Sequence, residues 1–148
     1  MFTEQRIGEI LKQLRKLSYP QSIPVGGWKM RRETSEQAPL PSDTQDGWSE
    51  LPERGIWSGH CEYASFAAEV DVPPEFEGCC VEFCLLTGKE GQWDATNPQF
   101  RVYVDGVLRQ GFDTNHRSIR LSEQAQAGRH FSIYLSAFTG VQNFHLLF

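Results

Sequence analysis

The chain has 148 residues, is 12% aromatic and carries a net charge of −5, a size that suits one domain able to bury roughly two-thirds of the surface its unfolded form exposes. The charge is spread evenly, with 8 basic and 11 acidic side chains in residues 1–74 against 6 and 8 in residues 75–148, so nothing favours a nucleic-acid backbone as partner. No apolar run approaches the ~20 residues that a membrane helix requires, and the start MFTEQRIGEILKQ lacks the basic opening and continuous apolar core of a secretory signal, which makes the cytoplasm the expected location.

The N-terminal segment 1–17 predicts the one helix of the chain. Ile7, Ile10, Leu11, Leu14 and Leu17 recur at steps of three and four and form a single apolar stripe. Thr3 is the expected N-cap, with Glu4 in the first turn and Arg15 and Lys16 in the last, each matched to the helix dipole. The stripe needs a cover, from the rest of the chain, from a second copy or from another domain.

Residues 18–54 are irregular in pattern, and Pro20, Pro24, Pro39, Pro41 and Pro52 each remove a backbone donor. A short strand is expected at Trp28–Arg31, and the connection Arg32–Asp46 is the expected mobile segment. From residue 55 to residue 148 the pattern is β. Ala64, Phe66, Ala68, Val70 and Val72 alternate with Tyr63, Ser65, Glu69 and Asp71 until Pro73-Pro74 stops the strand. Cys79, Val81, Phe83 and Leu85 alternate with Cys80, Glu82, Cys84 and Leu86, so both faces of that strand are expected to be at least partly covered.

In the stretch PQFRVYVDGVLRQGFDTNHRSIRL (Pro98–Leu121), Phe100, Val102 and Val104 alternate with Arg101, Tyr103 and Asp105. Asp105-Gly106 tolerates the positive φ of a tight hairpin turn, and a second turn cluster follows at Gly111–His116. Strands are then expected at Ser118–Leu121, Arg129–Ala137 and Asn143–Phe148. Strands at this spacing predict an antiparallel β-sandwich.

Cys61, Cys79, Cys80 and Cys84 match no paired zinc-finger spacing. They are expected to be free, reduced and buried as small apolar residues. Asp94, Asp105 and Asp113 fall in turn contexts, where aspartate serves its own backbone, so a glycosidase-type carboxylate pair is not expected within this chain.

The hairpin reads Y-V-D-G, then a short return strand, then G-x-D-x-N-H and a further strand. This wording resembles the N-terminal β-sandwich domain of glycoside hydrolase family 38 α-mannosidases. GIWSGHCEYASFAAEVDVP and GCCVEFCLLTG extend the resemblance over roughly residues 48–140. The resemblance implies a galactose-binding-like jelly roll. It also implies a parent enzyme whose following (β/α) domain holds a catalytic zinc on His and Asp residues and uses an Asp nucleophile. None of those motifs occurs in this sequence.

The chain is therefore expected to be one all-β domain with an N-terminal helix, the non-catalytic N-terminal piece of a larger cytoplasmic α-mannosidase. Its expected partners are the downstream catalytic domain and other subunits of a homo-oligomer, with zinc in the parent's catalytic domain and no metal or cofactor in this piece. The rival expectation is an autonomous carbohydrate-binding module with carbohydrate as partner. The candidate interface or sugar-contact residues are Trp93, Asp94, Asp113, Asn115 and His116. Two roles stay open for the Gly111–His116 corner: Gly111 supplies a free backbone conformation and Asp113 and Asn115 close Asx-turns, or the corner faces the catalytic domain or its substrate. Trp93 either tucks over the sandwich or stands as a platform for a sugar ring or partner.

Overall fold

A computed structural model of the chain describes residues 2–39, 46–51, 56–87, 97–140 and 146–147. Helix α1, Phe2–Ser18, is closed by Ser18, whose hydroxyl donates to the Leu14 carbonyl at 2.9 Å. Pro20 follows and cannot continue the helix. Thr3 lies inside α1 and is not its cap. The apolar stripe forms as the periodicity dictates, yet Ile7, Ile10, Leu11, Leu14 and Leu17 stay between 50% and 76% exposed. Just past the helix, the Tyr19 hydroxyl donates to Glu82 at 2.9 Å and ties the chain to the β structure.

The main sheet is antiparallel throughout. In chain order its strands are β1 (Lys29–Glu33), β2 (Ser49–Glu50), β4 (Tyr63–Asp71), β6 (Gln99–Val104), β7 (Val107–Phe112) and β9 (His130–Phe138), and they lie in the order β2-β1-β4-β9-β6-β7. Two antiparallel pairs complete the β structure: β3 (Ile56–Trp57) with β10 (Leu146–Leu147), and β5 (Val81–Cys84) with β8 (Ser118–Ser122). The protein is thus mostly β, with antiparallel sheets and one N-terminal helix, an arrangement consistent with a β-sandwich.

Strand alternation decides which side chains form the core. Phe66 of β4, Ile133 and Leu135 of β9 and Val102 of β6 are fully buried on one face of the main sheet. Trp57, Phe83 and Ile119 from the two smaller pairs, and Leu85 just past β5, belong to the same core. Trp57 meets Phe66 edge-on at 5.5 Å, and Phe83 stacks on Phe112 at 6.2 Å. Each such aromatic contact adds about 0.5–1.5 kcal/mol beyond the area it buries. The hairpin between β6 and β7 turns on Asp105 (φ 52°) and Gly106 (φ 75°), the two positive values that a type I′ turn requires. Asp105 is also pinned to β9, accepting from the Ser132 N–H at 3.0 Å through its carboxylate and donating its own N–H to the Ser132 carbonyl at 2.9 Å.

The other face of the main sheet is polar but still covered. Ser65, Ser136, Tyr103 and Tyr134 are buried there. Arg31, in the strand expected at Trp28–Arg31, and Trp48, from the irregular stretch after it, supply part of the cover: Trp48 meets Tyr134 edge-on at 6.3 Å, and the Arg31 guanidinium lies over Trp48 at 5.0 Å. Trp48 is therefore a half-buried outer-face residue and not part of the core. The connection expected to be mobile is anchored over its described part. Arg32 and Glu33 belong to β1, the Gln37 N–H donates to the Ser136 hydroxyl at 3.3 Å, and Glu36 pairs with Arg101 at 2.7 Å. Residues 40–45 lie outside the described residues.

Two further expectations are corrected. Cys79 and Cys80 precede β5, held in a turn by the Cys79 N–H to the Phe76 carbonyl at 3.0 Å, and all four cysteines are outside disulfides and exposed, not buried. On the second face of β5 Glu82 is half-buried and Cys84 exposed, and just past the strand Leu85 is buried and Leu86 exposed, so that face is covered in part. Of the strand expected at Asn143–Phe148, Leu146–Leu147 is observed and the remainder lies outside the described residues.

Candidate functional site

The pairing register sets Tyr63, Phe138 and Gln99 in one row across β4, β9 and β6. Tyr63 and Phe138 pack ring on ring at 4.7 Å with a 31° tilt. One residue-pair further along, Arg101 on β6 faces Gly111 on β7. Beyond β7 the chain turns through Asp113–His116. Together these elements line a groove of about 770 Å3 at that end of the main sheet, with Glu36, bonded to Arg101, also in its lining.

Gly111 is a strand residue, and the turn begins after Phe112. It shows no positive φ, and a Cβ placed on it would meet the Phe100 carbonyl oxygen at 3.8 Å, an ordinary contact. The expectation that Gly111 supplies a special backbone conformation is therefore corrected. Its missing side chain leaves space beside Arg101.

Asp113 organises the corner. Its carboxylate accepts the backbone N–H of Asn115 at 2.7 Å and of His116 at 2.6 Å, an Asx-turn, and its second oxygen lies 3.1 Å from His116 Nδ1. The Asp113 N–H closes the loop by donating to the His116 carbonyl at 2.9 Å. Partial burial pushes the Asp113 carboxyl up, but the hydrogen bonds from His116 and Asn115 outweigh it and hold the group below its ordinary value. Asn115 contributes its backbone N–H to this arrangement, while its exposed side chain stands at the groove rim. His116 has an exposed ring, and with Nδ1 engaged by Asp113 its Nε2 faces outward as an acceptor when the ring is neutral.

Asp113→Ala is expected to lower stability by about 1–2 kcal/mol through loss of these turn bonds. Asn115→Ala and His116→Ala are expected to be nearly silent in thermal melts, because alanine keeps both backbone donors. A carboxyl held lower in the folded state stabilises above its unfolded pKa, near 3.8, and loses that contribution as pH falls through the lower folded value. Melts of Asp113→Ala and the unchanged chain should accordingly converge in strong acid.

Asp113, Asn115 and His116 thus meet in one place, as the sequence expects, whereas Trp93 and Asp94 lie outside the described residues. Sequence reasoning missed Tyr63, Phe138, Gln99 and Arg101 as site residues. Tyr63 and Arg101 read as outward positions of separate strands, Gln99 and Phe138 fall just outside the expected strands, and only the register brings the four together. A second polar cluster sits at the opposite end of the β4–β9 pair, where the exposed His130 ring bridges Asp71 and Glu69 at 2.8 Å each. The bonds to Asp71 and then Glu69 raise the His130 pKa, as a solvated surface ion pair would. Among the described residues no group of three or more His, Cys, Asp or Glu side chains is placed to hold a metal ion. No family model matches this chain, and no curated protein or solved structure matches it either.

Proposed function

We propose that this chain is the non-catalytic N-terminal domain of a cytoplasmic α-mannosidase of the family 38 type, a jelly roll of the galactose-binding-like kind that packs against the catalytic domain and aids assembly. The sequence wording of the Pro98–Leu121 hairpin and of the strands before it supports the family reading. The observation that carries the packing role is the uncovered stripe of α1. Five large aliphatic side chains, Ile7, Ile10, Leu11, Leu14 and Leu17, stand in solvent on one face of a well-formed helix. A helix of this length is marginal in water without a packed apolar face, so the stripe suits a neighbouring domain. The chemistry of mannoside cleavage and its zinc belong to that neighbour.

The isolated chain is expected to hydrolyse no aryl α-mannoside, with or without added zinc. In an enzyme that contains this domain, Leu11→Glu combined with Leu14→Glu is expected to expose the junction to limited proteolysis and to reduce activity. In the isolated chain the same pair should leave the melting of the β structure within about 0.5 kcal/mol, because both side chains already face solvent. Turnover that survives repurification and follows the 148-residue chain, or a full-length double variant with unchanged proteolysis and kinetics, would overturn the reading.

A further inference from the structure

We infer that the groove between the Tyr63–Phe138 row and the Asp113–His116 corner is a binding site for a neutral saccharide. The inference is independent of the accessory-domain reading, since it rests on the groove and not on α1.

Size comes first. At about 770 Å3 the groove falls within the range of small-molecule sites, about 300–1,000 Å3. Its chemistry is divided. On one side Tyr63 and Phe138 lie half-buried with rings 4.7 Å apart, a patch that offers apolar surface to the C–H face of a pyranose ring. Next to it, Gln99 beside Phe138 in the same row and Asn115 at the corner bring amides that both donate and accept, Arg101 donates, and His116 Nε2 accepts. A ligand with one apolar face and a rim of hydroxyls uses both halves.

Charge then narrows the ligand. Arg101 is already bonded to Glu36 at 2.7 Å, and the Asp113 carboxylate is engaged by the Asn115 and His116 N–H groups. Among the described lining residues each charge has an opposite partner, Arg101 with Glu36 and His116 with Asp113, and this balance favours an uncharged ligand. Hydroxyl groups exchange bonds with water at little net gain, so affinity in so open a groove should be modest, with Kd near millimolar.

Gly111 gives a clean test. The position has ordinary strand backbone, and a Cβ there meets nothing closer than 3.8 Å, so Gly111→Leu should fold while its side chain fills the space beside Arg101. Amide spectra of the labelled chain would be recorded during titration with mannose, mannobiose, galactose and cellobiose, with adenosine monophosphate and sodium sulfate as anionic probes. The expected result is saturable shifts confined to the groove lining, from Tyr63 and Phe138 to Arg101, Gly111, Asn115 and His116, for at least one saccharide. Gly111→Leu should weaken that saccharide at least ~10-fold and His116→Ala a few-fold, roughly the loss of one hydrogen bond, with both variants keeping the native spectrum. Absence of saturable shifts with every saccharide to about 50 mM, tighter binding of either anion in the groove, or unchanged affinity in Gly111→Leu would each overturn the inference. Any of these leaves the α1 and mannosidase assays unaffected, and failure of those assays leaves the groove result standing.

Discussion

Phe66→Ala is expected to destabilise the chain by about 3–5 kcal/mol. Phe66 is fully buried in the middle of β4, its cross-strand neighbours are Met30 on β1 and Leu135 on β9, and Trp57 sits edge-on at 5.5 Å. Truncation removes the transfer energy of the ring and leaves a cavity under Trp57 that backbone pairing on both sides of β4 prevents from collapsing. Against a total stability of about 5–15 kcal/mol, such a loss leaves the chain close to unfolded at moderate temperature. Urea unfolding followed by Trp fluorescence measures it, with the midpoint falling and the slope unchanged. A loss below about 1 kcal/mol would mean that Trp57 and the smaller strand pairs are not seated on the main sheet.

The elements legible in the sequence are those whose own residues determine them. The alternation from Tyr63 to Asp71 and from His130 to Phe138 marks the nine-residue pair at the centre of the sheet, because a half-buried strand must alternate whatever its partner is. Asp105-Gly106 likewise announces its turn, since few other pairs accept two positive φ values in succession. Where a partner decides, local pattern misleads. Cys79 and Cys80 continue the alternation of Val81–Cys84, yet the turn after Pro74–Phe76 holds Cys79 and β8 offers a partner only from Ser122. Gly111 reads as a turn residue, but Arg101 across the ladder keeps it in a strand.

The same division runs through the candidate site. Asp113-x-Asn115-His116 is recognisable because an Asx-turn is local chemistry. The aromatic pair is not, because Tyr63 and Phe138 are 75 residues apart and meet through the β4–β9 register. The Pro-rich stretch before β4 also gives little warning that it covers the outer face. Besides the pairing of β1 with β4, what fixes it there is a chain of side chains, Arg31, Glu33, Ser65, Tyr134 and Trp48, drawn from both sides of residues 40–45 and from three strands of the sheet.

That chain carries the second large effect, an expected loss of about 2–3 kcal/mol in Ser65→Val. Ser65 is fully buried, its hydroxyl donating to Glu33 at 2.8 Å and accepting from the Tyr134 hydroxyl at 2.7 Å, while Glu33 also accepts from Arg31 at 2.7 Å. Burial pushes the Tyr134 phenol up from its ordinary pKa, more than the bond with Ser65 pulls it back, so the phenol stays neutral with a proton to donate. Valine fits the space approximately but leaves the phenol without its acceptor and Glu33 without one donor, and unmade bonds of buried groups cost more than made ones contribute. Tyr134→Phe should cost about 1 kcal/mol, and in the double variant the second change should cost less than it does alone, since no phenol remains to be stranded. The consequence reaches the groove, because β1 ends at Glu33, three residues before the Glu36 that pairs with Arg101. In Ser65→Val, cleavage by a protease within residues 32–39 should therefore speed up, and any saccharide affinity of the groove should fall, while the amide shifts of β8 stay in place. Strictly additive losses in the double variant would show that Ser65 and Tyr134 do not act as one network.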